Sequence, residues 1–99
     1  MIILTKSPNP KKKYRATFLE NGKHVDFGAR GYSDYTIHKD PLRMKRYIHR
    51  HSGMGENWSL KGKYTAGFWS RWLLWNKPGL GSAIESVARR LRTQIRKRF

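Results

Sequence analysis

Three of the four tryptophans of this chain fall within Tyr64 to Trp75, the run Tyr-Thr-Ala-Gly-Phe-Trp-Ser-Arg-Trp-Leu-Leu-Trp, in a sequence that is otherwise polar and basic. Any core must therefore form around it. At about 100° per residue a helix here carries Phe68, Trp72 and Trp75 on one face, with Trp69 and Leu73 on the flank beside it. Leu74 falls well round the back, near Ser70 and Arg71, so only a narrow strip is polar. A helix apolar on most sides is normally buried on most sides, yet a domain of this size hides only roughly 60–65% of its unfolded surface. The mismatch predicts a partner surface, most simply a second copy of the chain. Phe68, Trp69, Trp72, Leu73 and Trp75 are the expected dimer interface.

The 99 residues make one domain. Lys and Arg number 22 against 6 Asp and Glu, a formal charge of +16. Charge of that sign says nothing about fold but restricts partners to polyanions: nucleic acid, an acidic membrane face or an acidic protein. No cysteine is present, which removes disulfides, thiolate metal sites and cysteine nucleophiles together and suits a reducing compartment. Apolar runs nowhere approach the ~20 residues that span a bilayer. The opening Met-Ile-Ile-Leu is too short for a signal-peptide core and reads as a strand.

Ile2 to Thr5 is apolar and β-branched and is closed by Ser7-Pro8-Asn9-Pro10, so it is expected as an edge strand. Lys11 to Lys13 reads as a solvated loop. Tyr14, Ala16 and Phe18 then alternate with Arg15 and Thr17, and Asn21-Gly22 suits a two-residue hairpin turn. Pairing across that turn sets Glu20 against Lys23, Phe18 against Val25 and Ala16 against Phe27, so charges and apolar side chains align together. Further on, Asp40-Pro41 combines a capping aspartate with a proline suited to the first helical position. A helix to about His51 follows, with Leu42, Met44, Tyr47, Ile48 and His51 inward and Arg43, Lys45, Arg46, His49 and Arg50 around the rest; Ser52-Gly53-Met54-Gly55 stops it. Thr65 is the expected cap of the Trp-rich helix, which Asn76-Lys77-Pro78-Gly79 ends.

In the last helix Ser82 and Glu85 match a capping box. Ile84, Val87, Ala88, Leu91 and Ile95 recur at helical spacing, and Phe99 extends the stripe. Arg89, Arg90, Arg92, Arg96, Lys97 and Arg98 crowd its second half. Cations there complement the helix dipole, but six on one short segment repel one another unless an anion lies against them.

Catalytic chemistry finds little support. His38, Asp40, His49, His51 and Glu56 suggest a metal-dependent nuclease only loosely, since His49 and His51 point about 200° apart on a helix. Acidic residues are few, and Glu20, Asp40 and Glu85 already have structural explanations, leaving little to hold magnesium. The glycines form no phosphate cradle, and zinc-finger and aromatic RNA-binding sheet patterns are missing. The apolar face of the hairpin reads as core, not as a base-stacking platform. No catalytic residue, metal or cofactor is therefore expected. The working surface is the set of cations Arg43, Lys45, Arg46 and Arg50, with Arg89, Arg92, Arg96 and Lys97. Forked arginine side chains bind phosphate in two places and can enter a narrow minor groove, which favours double-stranded DNA without sequence readout.

Ser33-Asp34-Tyr35-Thr36-x-His38-Lys39-Asp40, Arg46-Tyr47-x-x-Arg50-His51, Glu56-x-Trp58, Gly62-x-x-Thr65-Ala66-Gly67 and Ser70-x-x-Leu73-Leu74-Trp75-x-Lys77-Pro78 follow one another in order. This series resembles the small basic proteins of unknown activity encoded by nucleocytoplasmic large DNA viruses, giant viruses of amoebae among them. The likeness covers roughly residues 27 to 80 and implies a viral protein associated with its genome, in the virion and in the viral factory of the host cytoplasm. It carries over no active site. The expected fold is α+β: a small antiparallel sheet from the first thirty residues under three helices. Trp58, Phe68, Trp72, Trp75, Ile84, Leu91 and Ile95 are expected in its core or dimer interface, with an exchange of helices between copies at the joints Ser52 to Lys63 and Asn76 to Gly81.

Overall fold

Strict alternation of side chains builds the sheet on which everything else rests. In the computed structural model, which describes residues 1–99, strands β1 (Ile2–Lys6), β2 (Lys12–Phe18) and β3 (His24–Ala29) form an antiparallel meander, and β4 (Ile95–Lys97) joins it beside β1. The fold is α+β, as expected, but the sheet is mixed and its order is β3-β2-β1-β4. Ile2 is thus not on an edge strand: β1 pairs with β2 on one side and, in parallel, with β4 on the other. The side of β1 that the hairpin leaves unpaired accounts for the capture of the tail. The Ile2 amide donates to Gln94 O at 2.9 Å and the Arg98 amide to Leu4 O at 2.8 Å, satisfying groups that would otherwise stay open.

The hairpin forms with the expected faces and a different register. Ala16 lies opposite Val25, Tyr14 opposite Phe27 and Arg15 opposite Asp26, two residues away from the pairing that Glu20 and Lys23 suggested. An even shift leaves every side chain on its own face. Arg15 makes two bonds to Asp26, at 2.8 and 3.0 Å, and that guanidinium holds the carboxyl below its ordinary range. The loop spans residues 19–22: the Phe18 amide donates to Lys23 O, the Gly22 amide to Phe18 O, and Gly22 alone takes a positive φ, of 72°. Glu20 turns instead to the terminal ammonium of Met1, 4.0 Å away.

Helices α1 (Tyr35–His38) and α2 (Pro41–Ser52) follow, with Asp40 capping α2 and Pro41 opening it. A 3-10 turn (Leu60–Gly62) leads to α3 (Ala66–Trp69), which Thr65 caps as expected and which continues directly into a π-helical turn, Ser70–Leu74. The Trp75 amide accordingly reaches Ser70 O, five residues back. The wider turn rotates the following residues against the regular helical progression, and Leu74, expected on the polar back, is only 2% exposed.

The last helix, α4 (Leu80–Leu91), begins two residues before Ser82, with Gly79 at its cap and no side chain closing it, so the Ser82–Glu85 box does not form. Starting at Leu80 extends the inward stripe by one turn, through Ala83, Ile84 and Val87. The helix also ends earlier than its apolar spacing suggested. Arg92 turns left-handed (φ 53°), its amide and that of Thr93 close on Arg89 O and Ala88 O, and Ile95 continues as strand.

Ile2, Leu4, Ala16, Phe18, Val25 and Phe27 from the sheet meet Phe68, Trp69, Leu73, Leu74, Ala83 and Val87 from the helices to form the core. Trp69 is its centre: 0% exposed, stacked on Phe27 at 5.5 Å, edge-on to Phe18 at 6.1 Å, and donating its indole N–H to Lys63 O at 2.8 Å. Gly28, at φ 80°, lets the sheet edge approach this layer, since a Cβ there would stand 2.9 Å from Leu74 Cδ1. Of the residues expected in the core or dimer interface, Phe68 belongs to the core, Trp72, Trp75, Ile84, Leu91 and Ile95 pack at its margins, and Trp58 is half-buried outside it.

These contacts correct the expected dimer interface. Phe68, Trp69 and Leu73 are sealed inside one chain and have no surface to offer a second copy; Trp72 and Trp75 are half-buried. The π turn and the sheet together cover what a regular helix would have exposed.

Candidate nucleic-acid interface

Helix α2 is cationic because only a thin seam of it is needed for packing. Tyr47 supplies the seam: buried, its ring lies parallel to Trp75 at 4.3 Å and stacks on His51 at 4.1 Å. Burial, with the Glu56 carboxylate adding to it, pushes the Tyr47 hydroxyl far above its ordinary range. His51 Nδ1 lies 2.8 Å from Glu56 Oε2, and Glu56 Oε1 accepts from the Trp58 indole at 2.9 Å. Gly67 leaves room for that carboxylate, since a Cβ there would come within 3.1 Å of it. Lys45 and Arg46 are turned away from this seam and Arg43 and Arg50 flank it; all four are exposed, and none has a carboxylate partner. Leu42, expected to point inward, is 56% exposed, because the short seam ends before the first turn of the helix.

The second expected cluster is divided between two elements. Arg89 lies in the last turn of α4, Arg92 at its left-handed end, and Arg96 and Lys97 on β4; all four are exposed. For Arg96 and Lys97 the strand offers a structural role as well, since cations on a sheet edge discourage pairing with another chain. Arg90 lies 3.5 Å over the ring of Trp72, which it shares with Arg71 at 4.3 Å. Burial, with Arg90 next to it, lowers the pKa of Arg71. The two clusters belong to opposite edges of the sheet: α2 faces the ends of β2 and β3, and the other group surrounds β4.

Arg92 occupies a backbone conformation that costs an L-residue about 1–2 kcal/mol and that glycine adopts freely. Its side chain makes no ion pair in return. Arg92→Gly is therefore expected to raise the unfolding free energy by about 1 kcal/mol, read from urea denaturation, while lowering DNA affinity if Arg92 meets phosphate. Loss of stability would show that the guanidinium has a structural role.

Sequence reasoning missed a cleft of about 430 Å³ on the inner side of α2. Arg43, Tyr47 and Arg50 line it from the helix at spacings of four and three, Lys12 and Lys13 from β2, and Tyr32 from the loop after β3. Lys12 and Lys13 are thus not in a solvated loop. Lys13 Nζ reaches Asp34 Oδ2 at 2.5 Å, and Asp34, 2% exposed, also accepts from the Thr36 amide and hydroxyl. The recurrence of Arg43, Tyr47 and Arg50 on one helical face was the available signal. Nothing local indicated what would stand opposite.

His38 stands beside the cleft, and its Nδ1 accepts from the Asp40 amide at 3.0 Å. Its Nε2 is sealed from solvent without a partner. Burial, and to a lesser degree Arg43 and Lys13, holds its pKa below the ordinary value against the opposing pull of Asp40 and Asp34. A depressed folded pKa means that the unfolded chain binds the proton first. The stability this group contributes is complete above about pH 6.5 and declines as pH falls from there towards the folded value. His38→Asn keeps an acceptor for Asp40 without a titrating ring, so the advantage of the native chain over this variant in urea denaturation shrinks as pH drops below about 6.5. A difference independent of pH would refute the sign.

Residues 2–51, about half of the chain, match the model of a family of unknown function, DUF5754. The matched segment runs from β1 through α2 and takes in the hairpin, which the viral resemblance over residues 27 to 80 leaves out. Searches of curated proteins and of solved structures gave no match.

Proposed function

Because the chain belongs to the DUF5754 family, whose function is unknown, we propose from its own charges that it binds double-stranded DNA without sequence preference and neutralises a viral genome for packaging. One observation carries this reading: of 22 lysines and arginines only Lys13 and Arg15 are paired with a carboxylate. Unpaired cations at such density repel one another, and a phosphate polymer relieves the repulsion while releasing its own counterions. Arg43, Lys45, Arg46 and Arg50 are the leading contacts, and Arg89, Arg92, Arg96 and Lys97 the secondary ones. The role requires neither catalysis nor a cofactor. On this reading the protein works in the viral factory of the host cytoplasm and is carried in the virion.

Titrating duplex DNA, RNA and an acidic polypeptide at two ionic strengths tests the proposal. Expected is tight duplex binding, equal across sequences, that weakens steeply with salt. Failure to bind duplex at near-physiological ionic strength overturns it. A second reading, a structural particle protein held to an anionic inner membrane or an acidic capsid protein, draws on Ile37 and Leu42, 61% and 56% exposed beside the cationic helix. Apolar side chains flanked by cations suit an anionic lipid surface, and flotation with anionic vesicles in the absence of DNA would favour it.

A further inference from the structure

The cleft between α2 and the sheet edge shares Arg43 and Arg50 with the cationic surface of the helix and adds Lys12 and Tyr32 to them. Its volume of about 430 Å³ lies in the range of small-ligand sites and is far too small for a duplex. Both carboxylates on its wall are already engaged: Asp34 by Lys13 and Thr36, Glu56 by His51 and Trp58. Lys12, Arg43 and Arg50 have no carboxylate partner, so the free charge of the cleft is positive. At its mouth stands Tyr32, 74% exposed and in contact with no other aromatic ring. Its ring is therefore free to meet a planar ligand beside those unpaired cations.

We propose that this cleft takes one unpaired nucleotide, with its phosphate on Arg43, Arg50 and Lys12 and its base on the ring of Tyr32. Guanidinium forks suit phosphate oxygens, and stacking on an aromatic side chain tolerates any base. A paired base within a duplex has both faces covered and cannot reach such a site, so the occupant comes from a frayed end, an overhang or a free nucleotide. The inference rests on the nucleic-acid reading above and adds a preference to it: ends and single-stranded breaks are held more tightly than continuous duplex.

Three titrations by fluorescence anisotropy test this at one salt concentration: a blunt duplex, the same duplex with a short 5′-phosphorylated overhang, and labelled deoxyadenosine monophosphate alone. The overhang is expected to bind about tenfold tighter than the blunt duplex. Tyr32→Ala, at a position too exposed to disturb folding, brings the overhang down to the blunt level, and Arg50→Gln weakens the free nucleotide. Equal affinity for blunt and overhanging duplex overturns the cleft and leaves the duplex reading standing. Binding of the nucleotide with no binding of either duplex does the reverse, identifying free nucleotide as the source. Displacement of the labelled nucleotide by inorganic phosphate at equal concentration shows that no base is held and also overturns the proposal.

Discussion

Trp69→Ala lowers the unfolding free energy by about 3–5 kcal/mol, the cost of deleting a large aromatic side chain from a closed core. A domain of this size has only about 5–15 kcal/mol to lose, so a large share of its stability goes with one ring. The indole is 0% exposed, touches Phe18, Phe27 and Phe68, and makes the hydrogen bond that holds Lys63 O. Alanine would leave a cavity bounded by both the sheet and α3, two layers that cannot collapse together without moving the strands. Trp69→Phe separates the contributions: it keeps most of the ring volume, loses the bond to Lys63, and is expected to cost about 1–2 kcal/mol. Urea denaturation followed by far-ultraviolet circular dichroism measures both. A cost below about 1 kcal/mol for alanine would show that the core is centred elsewhere.

Replacing Arg43, Arg46 and Arg50 together by glutamine is expected to weaken duplex binding roughly 500-fold at 0.1 M salt and to flatten the dependence of log K on log salt by about 2.7, at about 0.9 for each phosphate that the variant no longer neutralises. The same change leaves the fold intact or slightly strengthens it. The three side chains are exposed and unpaired, and Arg43 with Arg46, and Arg46 with Arg50, are like charges at helical spacings of three and four, which repel. Opposite effects on binding and on stability distinguish a contact surface from a packing surface. The corresponding triple on the other side, Arg89, Arg92 and Arg96, is expected to have a smaller effect, because Arg96 lies on a strand whose charge also protects the sheet edge. An unchanged salt slope in the α2 triple would remove that helix as the contact.

What the sequence made legible was whatever a few neighbouring residues decide among themselves. Asp40 and Thr65 cap the helices they were expected to cap, because a short polar side chain satisfies amides two or three residues away. The faces of the hairpin were readable from alternation even though its register was not, since a shift of two preserves parity. Of the candidate interface, the cations of α2 could be read for the same reason: helical spacing sets Lys45 and Arg46 away from Tyr47, and Arg43 and Arg50 beside it, whatever the helix packs on. The opposite wall of the cleft could not, because Lys12, Lys13 and Tyr32 reach it only through the sheet and the loop after β3.

Composition and local pattern were thus sufficient to determine an α+β domain, its cationic surface and the helix starts at Asp40 and Thr65, all of them set by interactions within a turn or by net charge. Only the tertiary structure decided that Ile95 leaves its helical stripe to pair with Ile2, that a π turn carries Leu74 into the core, and that Trp69 is the tryptophan sealed at its centre. Each of these outcomes depends on an unpaired strand edge or an unfilled space created by residues far away in the chain, and the burial and hydrogen bonds gained there outweigh the weaker preferences of local spacing.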